Sequence, residues 1–304
     1  MTIRAFDVFI RSHRVTLDSS PRSGRERESV VSGREPSVLA IVLTHDSPTS
    51  LSECLDAIAG QSRKPDEILV VDNDSRPPAR ATIASLDGVE VGTLELRENL
   101  GPAGGHAAGL QRFQASGHDL AWVMDDDCVP DAGCLEVLLR NVSTDEAELM
   151  FPRWIDQVTD TVTDWPAWCG VLIPIDIVRT VGLPRVDFFW WMEDTEYLYW
   201  RIVEAGFNTR RITKAVVWHR PIRRRAVRPP WKIYYETRNS IYYRLRIQKG
   251  RGRRFFRLWR TLSRTLGSIV VTRDAASARA FVRGVVDGLI GRLGKTIDPD
   301  DHGE

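Results

Sequence analysis

Short runs of consecutive hydrophobic residues, separated by stretches with helical periodicity, organise the first half of the chain. Residues 38–43 and 68–71 are two such runs, which are typical of strands buried on both faces of a parallel sheet. Between them, at about residues 50–60, hydrophobic side chains recur on one helical face, which predicts a helix. Strands that alternate with helices predict a doubly wound α/β fold, with a mostly parallel sheet flanked by helices.

The same pattern continues along the chain and predicts further elements. A glycine-rich loop is expected at residues 97–105, and a helix after it at 106–116. A third buried strand ends at residues 122–124. Other predicted helices and strands, in chain order, are a weak helix at 79–86, a strand at 92–96, a helix at 133–140, aromatic strands and loops at 151–154 and 165–173, helices at 176–181 and 197–205, and a strand at 215–219.

The two ends of the chain differ from this central part. Residues 1–35 are polar and rich in Arg and Ser, which predicts a mostly disordered leader with a short strand at residues 5–10. The fold is predicted to occupy residues 36–246. Residues 247–304 repeat hydrophobic positions at helical spacing among arginines, which predicts a basic, amphipathic helical appendage.

Polar clusters follow each predicted parallel strand, at residues 44–46, 72–75, 99–105 and 125–127. Ligands of open α/β sheets bind outside the carboxyl ends of the strands. The coincidence of these clusters with the strand ends therefore predicts a binding site at this edge of the sheet.

The most distinctive cluster is Asp125, Asp126 and Asp127, directly after a buried strand. Three adjacent carboxylates repel one another unless a cation offsets them. Hard oxygen ligands favour Mg²⁺ or Mn²⁺, which proteins often share with phosphate. The alternative is a solvated acidic turn. His219 ends a strand of its own and is a suitable further ligand for Mn²⁺, although a histidine at a strand end also occurs for structural reasons.

Three other groups carry candidate chemistry. Asp72 and Asn73 can pair with a nucleobase and a ribose, or form an Asx turn. The loop at 99–105 can present backbone N–H groups to a diphosphate, although it lacks the G-x-G-x-x-G pattern. Glu193, Asp194 and Glu196 follow Trp190 and Trp191. A carboxylate beside apolar surface suits a general base, and the tryptophans can stack on a sugar. The alternative is that the acids mark a helix N-terminus, where negative charge is favoured.

Composition and charge narrow the setting. The net charge is +1, but residues 210–295 carry about two dozen Lys and Arg against Glu236, Asp274 and Asp287. The four cysteines form no C-x-x-C pair, so neither a zinc site nor a disulfide framework is predicted, and reducing cytosol is the expected setting. The sequence has neither a signal peptide pattern nor a run of about 18 apolar residues.

The motifs together resemble those of an inverting family 2 glycosyltransferase of the GT-A fold. The resemblance covers residues 36–246 and rests on residues 38–45, 70–75, 97–101, 124–127, 189–197 and 217–219. The acids at 193–196, with the segment 234–239, are most similar to the bacterial galactofuranosyltransferase and rhamnosyltransferase branch. One departure is the segment 74–78, which replaces the small residue-Asp-Gly-Thr run expected there and leaves base selectivity open.

The resemblance implies a role for each matching residue. Asp194 would be the base that deprotonates an acceptor hydroxyl, and Asp125, Asp127 and His219 would hold Mn²⁺ or Mg²⁺. The remaining assignments divide into two sets. The donor set is Thr44, Asp72, Asn73, Asn99, Gly101, Asp126 and Arg238, and the acceptor set is Trp168, Trp190, Trp191 and Glu193.

The resemblance also implies partners. It predicts a UDP- or dTDP-sugar donor carrying galactofuranose or rhamnose, a lipid-linked or cell-surface glycan acceptor, and a cytoplasmic location peripheral to the inner face of the plasma membrane. The basic C-terminal helices suit an anionic membrane surface or packing on the fold, and match no nucleic-acid-binding module. Two alternative functions are a sugar-nucleotide-forming nucleotidyltransferase and a non-enzymatic, membrane-associated glycan-binding protein.

Overall fold

The computed structural model describes residues 15–17, 34–83, 89–143, 145–163, 165–220, 228–249 and 252–299. The predicted strand at 5–10 and most of the predicted leader lie outside these residues. The chain divides into two compact units. Among the described residues, the first unit contains those up to Asn99, Gly105–Leu183 and 198–220, and the second contains Leu100–Gly104, Pro184–Tyr197 and the residues from 228 onward.

The first unit is built on a mixed sheet that has ten strands in the described residues. The strands are β1 (Val15–Leu17), β2 (Val38–Thr44), β3 (Glu67–Asp72), β4 (Glu90–Glu95), β5 (Leu120–Asp125), β6 (Cys128–Pro130), β7 (Glu148–Asp156), β8 (Thr161–Thr163), β9 (Cys169–Pro174) and β10 (Asn208–His219). Their order is β1-β10-β7-β9-β5-β2-β3-β4, with β6 paired to β10 and β8 paired to β7. The half formed by β5, β2, β3 and β4 is parallel throughout.

The helices follow the predicted alternation with strands. They are α1 (Pro48–Ala59), α2 (Gly101–Ser116), α3 (Cys134–Leu139), α4 (Ile175–Val181), α5 (Ile202–Glu204), α6 (Pro230–Tyr242), α7 (Gly252–Thr272) and α8 (Ala275–Ile290), with single 3-10 turns at Ala79–Ala81 and Val186–Phe188 and π-helical segments at Thr195–Arg201 and Tyr243–Ile247. The predicted α/β fold with a mostly parallel sheet is thereby confirmed. All seven residues of β2 are buried, as expected for a central strand covered on both faces.

Several predicted boundaries and helix types differ from those of the structure. The helix expected at 106 begins at Gly101, because Pro102 suits a first turn whose N–H groups need no partner within the helix. The strand expected at 215–219 begins at Asn208, where its polar residues alternate with buried ones. The expected helix at 197–205 is mostly π-helical. The weak helix at 79–86 contains one 3-10 turn, and its residues 84–88 lie outside the described part.

Close packing of α2 on the parallel strands depends on two glycines. A Cβ on Gly109 would lie 2.7 Å from Ile41 Cγ2 and 3.2 Å from Val71 Cγ2. One turn earlier, a Cβ on Gly105 would collide with the side chain of Leu43. The helix backbone therefore lies directly on the side chains of β2 and β3, which fixes the position of its first turns.

The second unit is a helical structure centred on α6. Gly284 and Gly288 of α8 pack against its backbone, because a Cβ at either position would lie 2.7 Å from the carbonyl oxygen of Tyr234 or Arg238. The hydroxyl of Tyr234 donates to Asp287 (2.7 Å) and that of Tyr235 donates to the carbonyl of Ile297 (2.7 Å). These contacts join α6, α8 and the segment after α8 into one core.

The α2 packing yields a stability prediction. We expect Gly109→Val to lower the free energy of unfolding by about 1–3 kcal/mol, because the added side chain has no space beside Ile41. Ala108→Val is the matched control: it places a valine at a half-buried neighbour and should cost less than about 1 kcal/mol. Urea unfolding of both variants measures the difference, and equal losses would contradict the packing argument.

Candidate active site

The polar clusters meet at one edge of the sheet because the parallel strands end in register. Thr44 pairs with Asp72 between β2 and β3, and Leu43 pairs with Asp125 between β2 and β5. The residues after each strand therefore share this edge, as the sequence predicted. Three of the six histidines of the chain, His45, His106 and His219, contact side chains or backbone of these clusters.

Asp125 is oriented by a buried histidine. Its Oδ1 lies 2.9 Å from Nε2 of His106, which is completely buried in the first turns of α2. The imidazole of His106 stacks on Trp168 with ring centroids 4.2 Å apart. Trp168 is itself 3% exposed, and its carbonyl accepts the N–H of Asp125. The His106 ring that contacts the Asp125 carboxylate is therefore held in position by its stacking on Trp168.

Asp126 points to a different partner. The hydroxyl of Thr44, at the end of β2, donates to its Oδ2 at 2.6 Å. Burial first, and then the charges of Asp127 and Asp125, raise the pKa of Asp126 well above its usual range, and the Thr44 hydrogen bond opposes this only in part. A cation or a further hydrogen-bond donor beside Asp126 would lower this pKa again.

Asp127 pairs with His219 at the end of β10. Its Oδ2 lies 3.2 Å from Nε2 of His219. Burial disfavours the imidazolium, but the hydrogen bond to Asp127 and the neighbouring negative charges of Asp127 and Asp125 outweigh burial and raise the pKa of His219 to about 10. The ring of Trp154 meets that of His219 edge to face at 5.7 Å, which restricts the imidazole further.

The Asp127–His219 pair fits a divalent cation in size and in ligand type. Two ligand atoms about 2.0–2.1 Å from one Mg²⁺ at a right angle lie about 2.9 Å apart, near the observed 3.2 Å. Among the described residues, no group of three or more His, Cys, Asp or Glu converges on one point. Asp125 is thus not placed in one ligand set with this pair, and the rest of a coordination sphere would come from water or substrate oxygens.

The Asp72 carboxylate shapes the loop after β3. Its two oxygens accept backbone N–H groups of Ser75 (2.8 Å) and Ala79 (2.7 Å), and the residue is 2% exposed. Asn73 lies beside it and donates from Nδ2 to Oδ1 of Asn99 at 3.1 Å. The amide of Asn99 in turn lies 3.1 Å from Nε2 of His45. The structure therefore joins the predicted donor residues Asp72, Asn73 and Asn99 at this edge.

A cavity of about 430 Å³ is lined in part by residues that are next in sequence to His45 and His219. It begins with Asp46, next to His45, and includes Arg220, next to His219. Its lining residues are Asp46, Ser47, Pro48, Thr49, Ser50, Glu53 and Arg220. Most of these side chains are polar or charged, and four of the residues belong to the first turns of α1.

In the second unit, the aromatic segment before Asp194 has an unusual backbone. Phe189 (φ 62°, ψ −66°) is the centre of a γ-turn closed by the N–H of Trp190 and the carbonyl of Phe188 at 2.7 Å. A γ-turn with positive central φ is the rarer and more strained form. Trp191 and Met192 also have positive φ, 75° and 74°. Such residues persist only where their surroundings fix them.

Arg238 and Asn239 of α6 hold the backbone of this aromatic segment in place through hydrogen bonds. Asn239 Nδ2 lies 2.9, 2.7 and 3.0 Å from the carbonyl oxygens of Phe188, Trp190 and Trp191. The Arg238 guanidinium is completely buried. Its hydrogen bonds go to Asn239 Oδ1, to the carbonyls of Gly294, Asp187 and Phe188, and to the Thr296 hydroxyl.

These contacts use all five N–H donors of the guanidinium, which also lies 4.7 Å from the ring centre of Tyr235. They indicate a structural role for Arg238. The diphosphate contact expected for this residue stays a prediction.

Gly101 belongs to the same arrangement. It has a φ of 67°, and a Cβ there would collide with the carbonyl of Phe189. That carbonyl accepts the N–H of Ala103 at 3.2 Å. One of the N–H groups of the first α2 turn is thus used by the aromatic segment, so the loop at 99–105 presents fewer donors to a diphosphate than its sequence predicted.

Asp194 and its neighbours follow this segment directly. Asp194 is half-buried and its Oδ1 accepts from the backbone N–H and the hydroxyl of Thr195. Glu193 is 5% exposed, whereas Trp191 is 40% exposed. The Trp190 and Trp191 rings lie 5.2 Å apart. The segment thus offers an exposed aromatic surface beside a carboxylate, an arrangement suited to a sugar hydroxyl.

Sequence reasoning missed three residues that organise these sites. His45 and His106 carried no assigned role, although both stand next to predicted strand-end or helix-start positions. Asn239 was overlooked beside Arg238. A single sequence gives little indication of such roles, because the partner of a histidine or an asparagine is known only once the fold has placed the two side by side.

Comparison with solved structures supports the fold. The chain is similar to TarS 1–349 of S. aureus in complex with UDP-GlcNAc, with a TM-score of 0.58 and 12% identity over 83% of this chain and 80% of that one. It is also similar to the mannosyltransferase PcManGT of Pyrobaculum calidifontis in complex with GDP-Man and Mn²⁺, with a TM-score of 0.57 and 14% identity over 85% and 88%. These likenesses confirm the predicted GT-A type fold.

Comparison with curated proteins points to one branch. The chain is 33% identical over 201 residues to the galactofuranosyltransferase GlfT1 of Mycolicibacterium smegmatis. The match covers 56% of this chain and 66% of that protein, a little less than two thirds of its length. The predicted resemblance to the galactofuranosyltransferase branch is confirmed.

The family itself is shown by a sequence model of "Glycosyl transferase family 2", which matches residues 39–228. This region contains all of β3 to β10, β2 except for its first residue, and every acid and histidine described at the sheet edge. The matched region is more than half of the 304 residues. The chain therefore belongs to glycosyltransferase family 2.

Proposed function

We propose that this chain is a metal-dependent, inverting glycosyltransferase that moves galactofuranose from a nucleotide-diphosphate donor to a hydroxyl of a lipid-linked glycan. Family membership supports the reaction class, and the name of the M. smegmatis relative supports galactofuranose over rhamnose. The observation that carries the proposal is the Asp127–His219 pair at the sheet edge where Asp72 and Asn73 also lie. One edge thus offers groups for a cation and for a nucleoside.

The donor is proposed to bind along this edge. Asn73 and Asn99 present amide groups to the nucleoside, while Asp72 keeps the loop at 75–79 in place and retains a lone pair on each oxygen for a base N–H. Asp126, with Thr44, is proposed to meet the ribose or the sugar, where a hydroxyl would donate to the carboxylate. The contact of Gly101 with the sugar that the resemblance implied stays a prediction.

The cofactor is proposed to be Mn²⁺ or Mg²⁺ at Asp127 and His219. The spacing of Oδ2 and Nε2 fits one ion, and the P. calidifontis neighbour is a complex with GDP-Man and Mn²⁺. When bound, the ion would offset the charge of the departing diphosphate. Asp125, fixed by His106, is proposed to approach the ion from its free side or through water.

Asp194 is proposed to be the general base. It would take the proton of the acceptor hydroxyl while that oxygen forms a bond to the anomeric carbon and the bond from this carbon to the diphosphate breaks, which inverts the carbon in one displacement. Trp190, Trp191 and Glu193 are proposed to bind the acceptor sugar. Trp168 is buried against His106, so we propose a supporting role for it, and its contact with the acceptor stays a prediction.

The acceptor is proposed to be carried on a lipid at the inner face of the plasma membrane. None of the helices in the described ranges combines the length and hydrophobicity needed to cross a bilayer. The basic segment after residue 210 gives the chain a cationic part, which supports attachment at an anionic surface.

The base assignment gives the first functional prediction. Asp194→Asn removes the proton acceptor but keeps the size of the side chain. We expect kcat for transfer from UDP-galactofuranose to fall by about 10²- to 10⁴-fold, while the donor Kd measured by calorimetry changes little. Asp176→Asn, on the exposed side of α4, is the matched control and should keep its kcat. Retained turnover in Asp194→Asn would exclude Asp194 as the base.

The cation site gives the second prediction. Asp127→Ala and His219→Ala should each weaken Mn²⁺-dependent binding of UDP by at least about 100-fold, because each removes one of two protein ligands. Calorimetry of UDP with Mn²⁺ and with EDTA isolates the metal-dependent part, and Asp176→Asn should behave as the unaltered chain does. Unchanged Mn²⁺-dependent binding in both alanine variants would refute the assignment.

The third prediction concerns the positioning of the base by α6. Asn239→Asp keeps the shape of the side chain but replaces its N–H donors by an acceptor that faces three carbonyl oxygens. We expect kcat to fall by about 100-fold with little change in the donor Kd, because the sheet-edge residues stay intact. Ser240→Ala, at the next buried position of α6, should keep both values.

A purely structural role for Asn239 predicts a different result. In that case kcat and donor affinity would decline together, in proportion to the unfolded fraction seen in a thermal melt. A loss of kcat in fully folded Asn239→Asp supports the positioning role, and an unchanged kcat contradicts it.

A further inference from the structure

The two C-terminal helices carry most of the exposed hydrophobic surface that the structure describes. Sixteen large hydrophobic side chains are exposed in the described residues, and ten of them belong to α7 and α8. The ten are Phe255, Phe256, Trp259, Leu266, Val270, Val271, Val282, Val286, Leu289 and Ile290. Patches of this kind on a folded protein mark an interaction surface.

On α7 the exposed residues follow the helical repeat. Trp259, Leu266 and Val270 are separated by seven and four positions, so they form one stripe. The rings of Phe256 and Trp259 lie 6.2 Å apart, and these side chains are 59% and 65% exposed. Thr265 and Ile269, four positions apart on an adjacent side of the helix, are buried. The helix therefore packs through a narrow side and leaves an aromatic stripe uncovered by the described residues.

Positive charge accompanies the stripe. The α7 sequence contains five arginines and no acidic residue. On α8, Arg279 and Arg283 are exposed, while the one acid, Asp287, is buried and accepts from Tyr234. The Arg254 guanidinium lies 4.9 Å from the ring centre of Phe255. An aromatic and aliphatic stripe flanked by arginines matches the composition of helices that lie in the interface of a bilayer.

The positive charge of α7 and α8 also indicates which kind of partner this surface would bind. A second copy would bring an equally positive surface against it, and like charges oppose such pairing. The N-terminal segment, residues 1–33, carries six arginines and four acidic residues, so it does not supply a complementary charge. A surface of anionic lipid headgroups supplies both the negative charge and the apolar layer beneath.

We propose that α7 and α8 form a lipid-docking surface whose arginines contact anionic headgroups and whose Phe256, Trp259 and Leu266 enter the acyl boundary. This inference deepens the proposed function, since it rests on the proposal of a lipid-linked acceptor for its biological meaning. Its test measures lipid binding in the absence of donor and acceptor. The lipid-docking proposal can therefore be disproved while the proposed transfer reaction stands, and the transfer reaction can be disproved while lipid docking stands.

The test is flotation of the full chain with vesicles of phosphatidylcholine alone or with about 30% phosphatidylglycerol. We expect binding to the anionic vesicles that weakens with salt. Phe256→Ser combined with Trp259→Ser should reduce the partition coefficient at least about tenfold. Val158→Ser combined with Val162→Ser, two exposed valines of the β7–β8 hairpin, is the matched control and should bind as the unaltered chain does.

A second pair of variants tests the charge. Arg260→Gln combined with Arg264→Gln should reduce binding to anionic vesicles by roughly 10- to 30-fold at low salt. Arg112→Gln combined with Arg179→Gln removes two exposed arginines of the first unit and should leave binding within about twofold.

Three results would overturn the proposal. One is equal binding to neutral and anionic vesicles. Another is unaltered binding in either α7 variant. The third is self-association in sedimentation that is lost in the Phe256 and Trp259 variant, which would identify the surface as a contact between copies of the chain.

Discussion

The repulsion among three consecutive carboxylates at the end of β5 is the constraint on which the site depends. Two like charges about 5 Å apart repel by about 3 kcal/mol at an effective dielectric constant of about 20. The fold relieves this by giving each acid its own partner: His106 for Asp125, Thr44 for Asp126 and His219 for Asp127. The partners come from α2, β2 and β10, so three distant elements must be placed correctly before the acids can coexist.

The sheet delivers those partners through register and close packing. Parallel pairing of β2 with β5 puts Leu43 opposite Asp125, so Thr44 stands beside the next acid. Gly109 lets α2 rest on β2, and α2 in turn carries His106 to Asp125. A change in either the register or the helix height would leave a buried histidine or carboxylate without its partner, which costs several kcal/mol. The strand register and helix packing that fill the core therefore also place the partners that stabilise the three acids.

The sequence analysis succeeded where one physical signal dominates. Continuous hydrophobic runs located β2 and β3, and acids or histidine at strand ends located Asp127 and His219 at the edge where they pair. It failed where tertiary packing overrides propensity: glycines that argue against a helix at 101–105 are the residues that let α2 pack closely. It also could not show that Asp72 accepts two backbone N–H groups, because those donors lie in a loop whose course is set by the fold.

The aromatic segment illustrates the limit most clearly. Its sequence suggests a sugar-stacking surface, yet its backbone is strained at Phe189, Trp191 and Met192, at a cost on the order of 1–3 kcal/mol each. A buried guanidinium adds little net stability even when all its donors are satisfied, so Arg238 and Asn239 are poorly explained as stabilising residues alone. They are better explained as residues that hold one backbone conformation in place, so that the carboxylate that follows it has a fixed direction.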